Sequence, residues 1–146
     1  AALSLDMLAD LPAIVVDASD QIEVGVGFFR DLDLTGKAVL VKTNWSQHWN
    51  TEQYFENHAY LTEEAALFLV ERGAKLVGID SHNIDDTRGK LRPVHKHLLG
   101  NNVLICEHMT NLDNLPTSGL RFFAVPPKIT GVGTFPVRAF AQVVGD

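Results

Sequence analysis

The sequence predicts an α/β domain, a sheet of mixed or parallel strands with a helix packed on one face. Three observations carry this. Short apolar runs recur at 13–17 (AIVVD), 38–43 (AVLVKT), 75–79 (KLVGI) and 103–106 (VLIC). The run 38–43 is continuous rather than alternating, as expected for a strand covered on both faces. Between the second and third runs, residues 62–72 carry apolar positions at helical spacing. Gly73 then passes the chain directly into the next run, giving the strand–loop–helix–strand order of a βαβ-like unit.

Size and composition narrow the field. With 146 residues the chain is long enough for one domain with its own core, and residues 1–146 read as that single domain. Twelve basic and 18 acidic residues leave a formal net charge of -6. No dense Lys/Arg run stands out, which argues against a nucleic-acid footprint and leaves a local patch open. No apolar run approaches the length of a membrane span, and no basic, apolar signal segment opens the chain. A cytoplasmic protein with no membrane and no nucleic-acid partner is the default expectation. The one cysteine, Cys106, lies inside an apolar run and reads as a small buried hydrophobe, so no intrachain disulfide can form.

In order, residues 2–11 offer one or two helical turns, with Ser4 as N-cap, stopped by Pro12. The run 13–17 is the first strand. Residues 20–30 are ambiguous, and GVGFF is wrongly spaced for a dinucleotide fingerprint. After the strand 38–43 comes a segment rich in large aromatic and polar groups, 44–60 (NWSQHWNTEQYFENHAY). It reads either as a pocket wall or as a loop folded onto the core or a subunit interface. Thr62 is a good N-cap for the helix 62–72, Glu63 and Glu64 place negative charge in its first turn, and Gly73 fits the C′ position. Residues 81–90 form a polar loop in which Asp85, Asp86 and Arg88 need be no more than solvated. Pro93 suits the first position of a short helix carrying His95 and His97, ended by Gly100-Asn101-Asn102. The strand 103–106 follows, then a loop at 109–116, a short strand at 122–125, a glycine-rich turn at 130–136 and a final strand at 137–144.

The candidate chemistry lies between Lys75 and Pro116, which holds four of the six histidines. Two apolar strands end there in carboxylates, Asp80 and Glu107, with the histidine-bearing helix between them. Ligands in open α/β folds sit outside the carboxyl ends of strands. His95 and Glu107 are the pair of greatest interest, since imidazole and carboxylate are ordinary ligands for zinc, manganese or iron. Two ligands are fewer than a zinc site uses, so the alternative of a surface histidine and an unrelated strand-end glutamate stays open. No CxxC, HExxH, P-loop or GxSxG occurs, and no catalytic residue is assigned.

The stretch LTEEAALFLVERGAKLVGIDSHNIDD, followed by PVHKHLL, VLICEHMTNLDNLP and FFAVPPKITGVGTFPVRAFA, resembles the cyclase family. That family includes bacterial kynurenine formamidases and isatin hydrolases. The resemblance runs from about residue 13 to 141. It implies a swivelling β/β/α fold and a metal-dependent hydrolase of N-formyl aryl amines or cyclic amides, using a divalent metal, Zn or Mn. At the positions of His95 and Glu107 the family binds metal, the histidine usually serving a second ion and the glutamate able to touch both. Trp45 and the loop after it correspond to the substrate-side segment. The sequence departs from the family in lacking the HxGTHxDxPxH motif that supplies its main metal ligands. The expectation is therefore either a missing N-terminal part or a shortened homologue: a domain incomplete at its N-terminus and inactive alone, acting on a small-molecule substrate as a homo-oligomer or with a companion N-terminal fragment. The alternative is a non-catalytic or regulatory domain of the same fold without the primary metal site.

Overall fold

The structure is a computed structural model that describes residues 3–146. Its centre is a six-stranded sheet. The strands are β1 (Leu11–Asp17), β3 (Ala38–Lys42), β5 (Leu76–Ile79), β6 (Leu104–Cys106), β7 (Leu120–Phe123) and β8 (Phe140–Val143), in the spatial order β6-β5-β3-β1-β7-β8. The first four in that order run parallel, β7 is antiparallel to β1, and β8 is antiparallel to β7. A second sheet holds only β2 (Glu23–Val24) and β4 (Tyr60–Leu61), paired in parallel. Two helices, α1 (Glu63–Glu71) and α2 (Pro93–Gly100), pack on each other and on one face of the large sheet.

The continuous apolar runs are explained by this layering. Val39, Val41, Val77 and Ile79 face the helices and join Ala65, Leu69, Val94 and Leu98 in one core. Ala38, Leu40 and Leu76 point the other way, into a second core with Met109, Leu112, Leu120 and Phe122. Apart from Lys42 at the end of β3, neither face of β3 or β5 meets water, so no polar alternation survives in their sequence. Gly78 belongs to the same argument. A Cβ there would lie 2.5 Å from Met109 Sδ and 3.0 Å from Leu40 Cδ2, so the bare backbone is what lets Met109 lie across β5. At the start of α1 the Thr62 hydroxyl accepts the Ala65 N–H at 3.1 Å, as its N-cap position predicts.

Three expectations need correction. The helical turns expected over 2–11 reduce to one 3-10 turn, Leu5–Met7; residue 2 lies outside the described residues. Pro12 does not end a helix but sits inside β1. The parallel ladder to β3 begins only at Ala13, so the missing proline N–H removes no bond from it. The final strand is Phe140–Val143, not 137–144, because β7 offers pairing partners only for those four residues.

Candidate functional site

Because β3, β5 and β6 are parallel, their carboxyl ends open on the same edge of the sheet. The residues that follow them meet there: Thr43 and Asn44, then Asp80 to His82, then Glu107 and His108. Asp80 is fully committed to the fold. Its carboxylate accepts the Thr43 N–H at 2.8 Å, the Thr43 hydroxyl at 2.5 Å and the Asn44 N–H at 3.0 Å. Burial nevertheless raises its pKa above the ordinary carboxylate value, against the lowering effect of those bonds. These bonds hold Asn44 in a left-handed turn, φ 67°, from which the aromatic segment departs.

His95 and Glu107 come together from separate elements. His95 Nε2 lies 3.3 Å from Glu107 Oε1. Each is fixed from behind. The His95 ring bonds through Nδ1 to Asp85 Oδ2 at 2.7 Å, and Glu107 Oε1 accepts the Ile84 N–H at 2.8 Å. Asp85, far from being solvated, is 1% exposed and also accepts the backbone N–H groups of Val94 and His95. The electrostatics follow this geometry. The hydrogen bond to Asp85, then that to Glu107, pushes the His95 pKa up to about 9. Burial works to raise both carboxylates. The bonds from His95 and the backbone outweigh it, so Asp85 and Glu107 lie below their usual range. Cys106 beside them is driven up to about 11, by burial first and the Glu107 charge second, which keeps it in the thiol form at neutral pH.

A second group of rings lines the same edge. The Tyr54 hydroxyl and His108 Nδ1 are 3.0 Å apart, and the rings of His58, His82 and His108 form a chain with centroid spacings of 5.1 and 5.6 Å. Burial, then the charges of Asp80 and Glu107, raises Tyr54 to about 12, so it stays a neutral phenol. His82 Nδ1 is buried without a hydrogen-bond partner among the described residues. Burial first and the neighbouring imidazoles second lower the His82 pKa. Trp45 is 8% exposed and packs with Tyr54 and Ala59 in a small core of its own, its indole N–H donated to the Tyr54 carbonyl at 2.9 Å. The exposed aromatic faces of the segment are those of Trp49 and Phe55, 51% and 59% accessible. His48 packs edge-on against Trp45, and His97 bonds Glu63 at 2.7 Å, joining the two helices away from the site.

The donor chemistry at His95 suits a metal ligand. One imidazole nitrogen is taken by a carboxylate, as is usual for the outer nitrogen of a metal-bound histidine, and the other faces a Glu107 oxygen. The donor set is short, however: among the described residues no group of three or more His, Cys, Asp or Glu side chains is placed to hold an ion. Sequence reasoning overlooked Asp85, the Ile84 N–H and the Tyr54–His108 pair. One sign pointed to a distant acceptor, though not to Asp85 itself. Helix α2 opens behind Arg92, which makes no side-chain cap bond, so its first N–H groups needed an acceptor from elsewhere in the chain.

The comparisons with known proteins agree on one relationship. The family model described as "Putative cyclase" matches residues 2–86, ending before His95 and Glu107. Kynurenine formamidase from Bacillus cytotoxicus is 29% identical over 132 residues, covering 90% of this chain and 62% of that protein. Among solved structures, isatin hydrolase A from Ralstonia solanacearum superposes with a TM-score of 0.81 at 28% identity, over 93% of this chain and 60% of that one. A structure described as a potential metal-dependent hydrolase with cyclase activity superposes with a TM-score of 0.82 at 26% identity, over 95% of this chain and 69% of that one. The chain thus spans a little under two thirds of the length of the kynurenine formamidases it matches. Its α/β fold is the fold of these structures. With more than half of its residues matched by the family model, the chain belongs to the cyclase family.

Proposed function

We propose that this chain supplies part of the active site of a metal-dependent hydrolase of small amides, either N-formyl aryl amines or cyclic amides. In this reading His95 and Glu107 are two of the donors to a divalent cation, zinc or manganese. The observation that carries it is the 3.3 Å approach of His95 Nε2 to Glu107 Oε1 at the carboxyl ends of parallel strands. When bound, such a cation supplies an acidified water and a polarised carbonyl. The chain's own residues do the positioning. Asp85 and the Ile84 N–H hold the two donors, Trp49 and Phe55 offer flat apolar faces to an aryl group, and Trp45 supports that wall from beneath. The names of the relatives are those of hydrolases, which speaks against a non-catalytic domain of this fold.

Two donors fall short of the three or four that zinc takes, so this chain by itself should bind the ion weakly and turn over no substrate. The remaining donors would come from a companion segment, and the first and last strands of the large sheet, β6 and β8, each have a free edge among the described residues where another chain could pair. Calorimetric titration with zinc and manganese tests the site. Weak binding abolished by His95→Ala and by Glu107→Gln is the expected result. Tight stoichiometric binding that survives His95→Ala would show that other residues hold the ion. Formamidase activity from this chain alone would overturn the need for further donors.

A further inference from the structure

Helix α2 begins without a cap of its own, and the acceptor that replaces one arrives from seven residues upstream of its N-cap Arg92. Asp85 Oδ1 accepts the Val94 N–H at 2.8 Å, and Oδ2 accepts the His95 N–H at 3.0 Å. The same Oδ2 is 2.7 Å from the ring Nδ1 of His95. One carboxylate oxygen therefore fixes both the backbone and the imidazole of a single residue. The backbone that carries this carboxylate is tied down as well. The Asp85 N–H is donated to Asn83 Oδ1 at 2.9 Å, and the preceding Ile84 is fully buried, with its N–H on Glu107. The segment 83–85 thus ties His95 and Glu107 to one rigid piece of chain.

We propose that Asp85 is the positioning residue for His95, holding the ring by Nδ1 so that Nε2 alone faces Glu107 and the open edge of the site. An imidazole has two nitrogens, and the bond made by one decides which is left to act. Without Asp85 the ring is free to turn about its χ2 bond and present either nitrogen. A partner of this kind both orients a histidine and makes it a better donor, and its loss typically weakens metal binding about 10–100-fold. The inference deepens the metal-site reading and rests on it for the affinity arm of the test only.

The experiment is nitrogen-15 NMR of the imidazole-labelled chain, first metal-free and then titrated with zinc into the millimolar range. His95→Ala assigns the signals. In the wild type a hydrogen-bonded, slowly exchanging proton should sit on His95 Nδ1, and zinc should shift Nε2 while that proton stays. Asp85→Ala, which leaves no acceptor and is confirmed as folded by thermal melting, should lose the slowly exchanging proton and bind zinc about 10–100-fold more weakly. Persistence of the proton in Asp85→Ala overturns the proposal, as does its loss with zinc binding unchanged. Should Asp85→Ala fail to fold, the wild-type spectrum still decides, because absence of the Nδ1 proton there overturns the proposal directly. Wild type showing the proton but no zinc effect at His95 would refute the metal-site reading and leave the orienting role of Asp85 established.

Discussion

Removing the Asp80 carboxylate tests how the aromatic segment is held over the site. Three donors converge on it: the Thr43 N–H, the Thr43 hydroxyl and the Asn44 N–H. In Asp80→Ala all three lose their acceptor, and Thr43 is 2% exposed, so water does not readily replace it. At roughly 1–2 kcal/mol for each stranded donor, the loss is about 3–6 kcal/mol. Part returns, because burial already disfavours the Asp80 charge, as its raised pKa records. The net expectation is about 2–4 kcal/mol, or a fall in melting temperature of roughly 6–12 °C for a domain of this size. Asp80→Asn keeps an oxygen for the two Thr43 donors, loses one bond and removes the buried charge. It should stay within about 1.5 kcal/mol of wild type. Urea unfolding read by tryptophan fluorescence is the assay, with the midpoint shifting and the slope unchanged. The emission of folded Asp80→Ala should also move toward longer wavelength as Trp45 loosens. An alanine variant within about 1 kcal/mol of wild type would refute the view that Asp80 anchors this turn.

Gly78→Val should cost about 1–3 kcal/mol by overpacking against Met109 and Leu40, measured by urea midpoint, and a double-mutant cycle with Met109→Ala should show the two sites coupled. Thr62→Ala removes the side-chain cap of α1 and should cost about 1 kcal/mol in the same assay. The pKa of His95 stands at about 9 in the folded chain against its ordinary 6.5, so its stabilising effect is full below pH 6.5 and lost as pH rises through about 9. Over that window the metal-free chain should lose at most roughly 3 kcal/mol, and His95→Gln should flatten the profile. The free edges of β6 and β8 predict self-association, and light scattering that finds a stable, non-aggregating monomer at micromolar concentration would contradict it.

The central strands and α1 were legible because each is written in a local pattern. β3 and β5 are buried on both faces and so read as unbroken apolar runs, while Thr62 and Gly73 mark the ends of α1. The partners of β1 were not legible. Pro12 looks like a terminator until one sees that β3 has not yet begun beside it. The site divides along the same line. His95 and Glu107 stood out by residue type and by their places at a helix start and a strand end. Asp85 did not, because an acid in a polar loop looks the same whether it is solvated or carries a distant helix terminus. Only the fold brings Ile84 against Glu107, and no spacing rule reports a backbone N–H used in that way.

The position of β1 between β3 and β7 also sets an order of events during synthesis. Ala13 pairs with Ala38 on one side and with Leu120 on the other. The parallel trio β1, β3 and β5, with α1 across it, can assemble once residue 80 has left the ribosome. The opposite edge of β1 must then wait for Leu120–Phe123, a pairing of high sequence separation of the kind that forms slowly. During that interval Leu11 and Ala13, buried in the finished fold, lie on an unpaired edge beside the partly buried Ile14. A nascent chain that pauses before Leu120 therefore exposes a short apolar strand able to pair with the same strand of a neighbouring chain, and translation speed across residues 80–119 becomes a determinant of yield.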